Sequence, residues 1–201
     1  MLINNQFYFV HIPRTGGRYI ENLFRLNNFS CNFTDYTFFQ KDKVKQKDID
    51  VAHFEYPYYL QLTNKKDLTK FTVVREPVSR FKSLLKATLK INNVDLNEEN
   101  VKQVTDNLNT FINNQIISTS HNWFVPQVNF ISYDTHIWKY ENGLDQKFIE
   151  WLNKNFDFKF DHISLDYEKG DYDLTNDIEF TPSQINSIKN YYYKDYKVIY
   201  G

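Results

Sequence analysis

The 201-residue chain carries 24 basic and 25 acidic side chains, a net charge of −1, which excludes function by bulk attraction to nucleic acid or to membrane surfaces. Aromatic residues make up 18% of it, including 15 Tyr and 18 Phe, enough for a folded core rather than a disordered chain. Any anion site must therefore be local, and residues 1–201 read as one domain.

In chain order, residues 6–12 predict a buried strand, and residues 17–26 a helix with Ile20, Leu23 and Phe24 at helical spacing. The lysine-rich stretch within 34–47 reads as a solvated loop, and residues 50–53 as a short strand end. Residues 70–75 predict a second strand, followed by a helix opened by Pro77 with Val78, Phe81, Leu85 and Leu89 on one face. A polar-faced helix is expected over 97–115, strands over 128–132 and 135–140, and a helix carrying Leu144, Phe148, Trp151 and Leu152. A last helix over 181–200 presents Ile185, Ile188, Tyr192 and Tyr196. Strands alternating with helices imply an α/β fold, a largely parallel sheet flanked by helices.

Cys31 is the single cysteine, so there is no intrachain disulfide framework, and it reads as a small buried strand residue. No segment looks like a signal peptide or reaches the ~20 apolar residues of a membrane span, so a cytoplasmic location is expected. The sequons at Asn28 and Asn32 read as chance in an Asn-rich chain.

Two stretches carry chemistry. In "FVHIPRTGG" a strand enters a loop containing Gly16 and Gly17 and runs into a helix, an arrangement that gathers amides and the helix dipole at one spot suited to phosphate. The glycines permit positive φ and close backbone approach, Arg14 adds a permanent charge, and Thr15 a hydroxyl. A nucleotide P-loop is not matched: there is no upstream glycine, and Arg18-Tyr19 stands where Lys-Ser/Thr is needed. In "TVVREPVSRFKSLL" Arg75 leaves a strand end, where ligands bind in open α/β sheets. Arg80 and Ser83 share a helical face beyond it, together suggesting a second anion site.

These stretches together resemble the carbohydrate sulfotransferases that use 3′-phosphoadenosine 5′-phosphosulfate (PAPS), particularly the heparan-sulfate 2-O type and its bacterial relatives. The family's first motif reads His-Ile/Val-Pro-Lys-Thr-Gly, and its second Arg-Asp/Glu-Pro, two residues, Arg-Phe, one residue, Ser. "NWFVPQVNFI", "WKYENGLDQ" and the terminal "YYYKDYKVIYG" resemble further family segments in the same order. The resemblance implies a P-loop-NTPase-like sulfotransferase fold and PAPS as co-substrate without a metal. It assigns Arg14, Thr15, Gly16 and Gly17 to the 5′-phosphosulfate, and Arg75 and Ser83 to the 3′-phosphate. Arg14 departs from the family's Lys. Arg18, in the same donor-binding stretch, stands where a small Ser or Thr is usual.

In that family a histidine after a glycine acts as general base, and His53 in "DVAHFEYPYYL" falls at this place, with Glu55 as the alternative carboxylate base. A neutral imidazole suits deprotonation of a sugar hydroxyl. His11 reads as packing against or orienting the loop, and Trp123 as core. Gln127 and Glu141 lie at acceptor-side positions without a catalytic role, and His121, His136 and His162 are not singled out. The implied reaction moves a sulfuryl group to a hydroxyl, on a glycan or glycolipid. The alternatives are a P-loop nucleotide kinase or NTPase, and an inactive domain that binds nucleotide or glycan.

Overall fold

The computed structural model describes residues 1–33, 52–56, 58–63, 67–95, 97–119, 122–160 and 179–201. In chain order the elements are β1 (Leu2–Ile3), β2 (Phe7–Val10), α1 (Gly17–Leu26), β3 (Cys31–Asn32), α2 (Tyr58–Thr63) and β4 (Thr69–Val74). Then come α3 (Pro77–Ile91), α4 (Glu98–Asp106), α5 (Leu108–Thr119), β5 (Thr135–Lys139), α6 (Gln146–Phe156) and α7 (Pro182–Tyr191). Short turns Tyr193–Asp195 and Tyr196–Tyr200 follow α7. The chain divides into two compact units, Met1–Arg75 with Asn129–Tyr167, and Glu76–Val128 with Glu168–Gly201.

The first unit holds an α/β sheet of five strands among the described residues, in the order β3-β1-β2-β4-β5. β2, β4 and β5 run parallel, but β1 is antiparallel to both its neighbours, so the sheet is mixed rather than largely parallel. The departure begins at "LINNQF". Asn4 and Asn5 have φ of 46° and 58°, and the Gln6 amide donates to Ile3 at 3.0 Å. Two successive left-handed residues make the tight turn whose twist suits a hairpin, and asparagine tolerates that conformation better than other side-chain-bearing residues. The hairpin folds β1 back on β2, and Cys31 and Asn32 extend that antiparallel edge.

Alternation along the strands sorts the two faces of this sheet. Phe9, Phe71 and Val73 pack with Ile20 and Phe24 of α1 and with Phe148, Ile149 and Leu152 of α6. On the other face Tyr8 stacks on Tyr59 of α2, ring centroids 4.5 Å apart. Each fully buried aliphatic or phenylalanine side chain contributes about 1.5–3 kcal/mol, so this core fixes the strand ends that carry the loops. Lys70 is buried, and its ammonium pairs with Asp134 at 2.6 Å and donates to the Leu68 carbonyl at 3.2 Å.

The second unit is helical among its described residues. Pro77 occupies the first turn of α3, where its missing N–H costs nothing, and the Glu76 carboxylate caps it by accepting from the Ser79 amide at 2.7 Å. Phe81, Leu84 and Leu85 of α3 meet Val101 and Val104 of α4, Ile112 of α5 and Ile188 of α7. The helix expected over 97–115 is two helices, because Asn107 leaves helical geometry (φ −118°, ψ 38°) between α4 and α5. The helix expected over 181–200 likewise breaks at Tyr192, whose hydroxyl donates to the Phe124 carbonyl at 2.7 Å. Thr181 and Gln184 close its N-terminus with reciprocal hydrogen bonds.

No strand forms over 128–132. Gln127–Asn129 is a 3₁₀ turn, and the Gln127 and Val128 amides donate to the buried Asp195 carboxylate at 2.9 and 3.0 Å. Amides committed to a side chain cannot join a ladder. Residues 34–50 and 51 lie outside the described residues, and Ala52–His53 is a turn rather than a strand end.

Candidate active site

The first unit places the glycine-containing loop of residues 11–16 at the carboxyl edge of the sheet. β2 ends at Val10, whose carbonyl accepts from the buried Thr72 hydroxyl of β4 at 2.7 Å, tying the two parallel strand ends. The chain then passes through 11–16 and enters α1. Gly16 is the N-cap, left-handed at φ 93°, and no side chain caps the helix; the Tyr19 and Ile20 amides donate to the Gly16 carbonyl at 3.1 and 3.4 Å, and the helix dipole favours an anion at this end. Arg14 is also left-handed at φ 66°, a conformation costing a side-chain-bearing residue about 1–2 kcal/mol. Strain held at a loop of this kind is found at ligand sites.

The space beside each glycine is already filled by protein. A Cβ on Gly16 would come within 2.5 Å of Leu144 Cδ1, and one on Gly17 within 1.8 Å of His11 Nε2. The glycines thus serve the fit of the loop against Leu144 and the His11 ring. Thr15 is fully buried and its hydroxyl donates to the Ile12 carbonyl at 2.9 Å, which directs it into the loop itself. Arg14 and Arg18 are half-buried.

Arg75 follows β4 directly and reaches the same loop. Its Nη1 donates to the Arg14 carbonyl at 3.4 Å, and its guanidinium lies 4.7 Å from the centroid of the Tyr140 ring. Tyr140, just past β5, also approaches Gly16, with Cε2 3.3 Å from where a Cβ would stand. Sequence reasoning gave Tyr140 no role, although it lies in the quoted "WKYENGLDQ" strand end. Three parallel strand ends (β2, β4 and β5) thereby converge on one loop.

His53 is buried at 5% exposure, and its ring centroid lies 4.3 Å from that of His11. His11, at the end of β2, is 4% exposed and its Nδ1 is 3.0 Å from Oε1 of Glu21, itself 6% exposed. Phe9 stacks on His11 at 5.5 Å. The reading of His11 as orienting the loop agrees with this contact. Glu21 was missed, yet it sits four residues beyond Gly17 on the buried face of α1 between Ile20 and Leu23, and a carboxylate on an apolar face is a legible signal. Glu55 is half-buried.

The remaining expected residues differ in burial and in partners. Ser83 is half-buried on α3 in the second unit, whereas Arg75 belongs to the first. Arg80 is 1% exposed, and its guanidinium donates to the Trp123 carbonyl at 2.6 Å and the Val125 carbonyl at 3.0 Å, a structural role rather than an anion contact. Burial lowers its pKa, a shift that the Tyr192 and Asp195 side chains oppose. Gln127 is fully buried beside Asp195, and Glu141 is exposed. Cys31 is partly buried, and burial pushes its thiol up to about 11, which leaves little nucleophilic thiolate near neutrality. His121 and His162 lie outside the described residues.

Among the described residues, no cluster of three or more His, Cys, Asp or Glu side chains could hold a metal ion, and no helix is long and apolar enough to cross a membrane. Compared with protein families, with curated proteins and with solved structures, the chain matches none.

Proposed function

We propose that the protein is a sulfotransferase that moves a sulfuryl group from PAPS to a hydroxyl of an acceptor, a glycan or glycolipid made in the cytoplasm. The observation carrying this reading is the N-terminus of α1, which no side chain caps, opened by left-handed Gly16 and with its loop reached by Arg75 from the neighbouring parallel strand. Amides, helix dipole and guanidinium then favour one polyanion at the carboxyl edge of the sheet. The order of motifs along the chain supports the nucleotide phosphosulfate over other anions.

In this reading the acceptor oxygen attacks sulfur in line as the bond from sulfur to the 5′-phosphate oxygen breaks. The acceptor proton passes to His53, and 3′-phosphoadenosine 5′-phosphate (PAP) departs. A loose transition state of this kind places charge on the leaving oxygen. The loop amides, Arg14 and Arg18 stabilise it, and Arg75, which reaches the same loop, holds the 3′-phosphate. His53 is the catalytic base, with Glu55 its alternative.

Calorimetric titration with PAP, beside ATP with magnesium and adenosine 5′-phosphosulfate, tests the reading. PAP binding that ATP does not match, weakened at least tenfold by Arg75→Ala, is the expected result. An absence of PAP binding overturns it: magnesium-dependent ATP binding would then favour a nucleotide kinase or NTPase. PAP binding without turnover on any hydroxyl acceptor would favour a binding domain, and Arg14→Lys, which restores the family residue, would then be tried for rescue.

A further inference from the structure

Glu21, His11 and His53 form a buried constellation built on three separate pieces of chain. Glu21 comes from the second turn of α1, His11 from the end of β2, and His53 from the turn before α2. A carboxylate can only accept, so the His11 nitrogen 3.0 Å from Glu21 Oε1, Nδ1, is the one that carries hydrogen. The other ring nitrogen, Nε2, then lies against Gly17, so close that a Cβ there would stand 1.8 Å from it. The His53 ring rests against the same imidazole, with centroids 4.3 Å apart and planes inclined by 53°. One ring therefore touches both the start of the donor helix and the base assigned above, and its orientation is held from behind by a buried carboxylate.

We infer that Glu21 and His11 are positioning residues of this site: Glu21 fixes the tautomer and plane of His11, and His11 sets where the His53 ring stands relative to the donor loop. The role of His53 as base rests on the sulfotransferase reading, whereas the constellation itself does not. Catalytic bases are commonly oriented by a third group in this way. The His11 ring that Glu21 anchors occupies the space where a Gly17 side chain would go.

The test is nitrogen-15 NMR of the imidazoles, with His11→Gln and His53→Gln used to assign signals, in the wild type, Glu21→Ala and Glu21→Gln. The expected wild-type His11 is a single tautomer with hydrogen on Nδ1. Glu21→Ala mixes the tautomers and moves the His53 signals. Glu21→Gln, whose amide oxygen still accepts, restores both. A wild-type His11 that carries hydrogen on Nε2 or averages between tautomers overturns the inference, and so do His53 signals that Glu21→Ala leaves in place. Addition of PAP supplies the second arm, with His11 signals expected to shift at saturation. PAP bound by calorimetry without a shift at His11 breaks the link to the donor loop. Failure of PAP to bind removes the sulfotransferase reading, and the tautomer arm then decides the constellation by itself.

Discussion

Both units bury charged side chains, and one cluster in each uses them in opposite ways. In the second unit Arg80 and Asp195 spend themselves on backbone. The guanidinium takes the Trp123 and Val125 carbonyls, the carboxylate takes the Gln127 and Val128 amides, and Tyr192 takes the Phe124 carbonyl between them. Every backbone group so bound lies within one irregular segment, 122–128, which has no ladder or long helix to satisfy it. In the first unit Glu21, His11 and His53 meet side chain to side chain beside a loop with a strained Arg14 and an uncapped helix start. Buried charge in the second-unit cluster closes on backbone, whereas in the first Glu21 closes on the His11 ring. An arginine in a promising motif does not reveal by type which of the two it serves.

The sharpest way to break this contrast is Arg80→Ala, which leaves two buried carbonyls without their charged donor and opens a void. A loss of about 3 kcal/mol is expected from urea unfolding. Arg80→Lys, a point charge in place of a fork, should recover only part of it. A loss within about 0.5 kcal/mol, the usual range for a surface substitution, would mean that the segment does not depend on this lock.

Gly17→Ala probes the other region. The new Cβ would stand 1.8 Å from His11 Nε2, so the ring must move and its bond to Glu21 must lengthen or break. Overpacking of this kind costs about 1–3 kcal/mol, and on the proposed sulfotransferase reading PAP affinity should fall at least tenfold. Unchanged stability and affinity in the alanine variant would show that the histidine ring yields freely and anchors nothing.

The smallest effect concerns a pair that belongs to neither group, Lys70 with Asp134. Burial pushes the Asp134 carboxyl up, but hydrogen bonds from Lys70 and Ser132 outweigh it and hold its pKa below the ordinary 3.8. A depressed carboxyl contributes stability above its unfolded value and loses it as pH falls through the folded one. Asp134 is 43% exposed, so after screening the pair should contribute only about 0.2–1 kcal/mol. The stability gap between wild type and Asp134→Asn should therefore be present at neutral pH and close as pH falls below 3.8. A gap that stays constant down through that range would show that the pair does not titrate with folding.

The sequence by itself determined the elements whose signals are local. Residues 17–26 form α1 as read, because Ile20, Leu23 and Phe24 repeat at helical spacing just behind two glycines. β4, α3 and β5 follow from β-branched runs and from Pro77 at a helix start, each within one or two residues of the expected bounds. The loop between β2 and α1 was equally legible as a turn, since glycine and proline act through their own backbone. Even the hairpin that makes the sheet mixed was written in Asn4-Asn5, a turn signal that the buried-strand pattern around it obscured.

Tertiary structure decided what depended on a distant partner. Residues 128–132 have the composition of a strand, but Asp195 takes the amides at 127 and 128 from nearly seventy residues away. Arg80 and Arg75 look alike in sequence. One is buried against carbonyls and the other lies over Tyr140 beside the loop, because only the packed chain brings Trp123 and Val125 to the first and Arg14 to the second. Glu21 and His11 lie ten residues apart, and their pairing depends on α1 packing back along β2. Local propensity is a property of a few neighbouring residues. The partner of a buried polar group is a property of the whole core, and no periodicity records it.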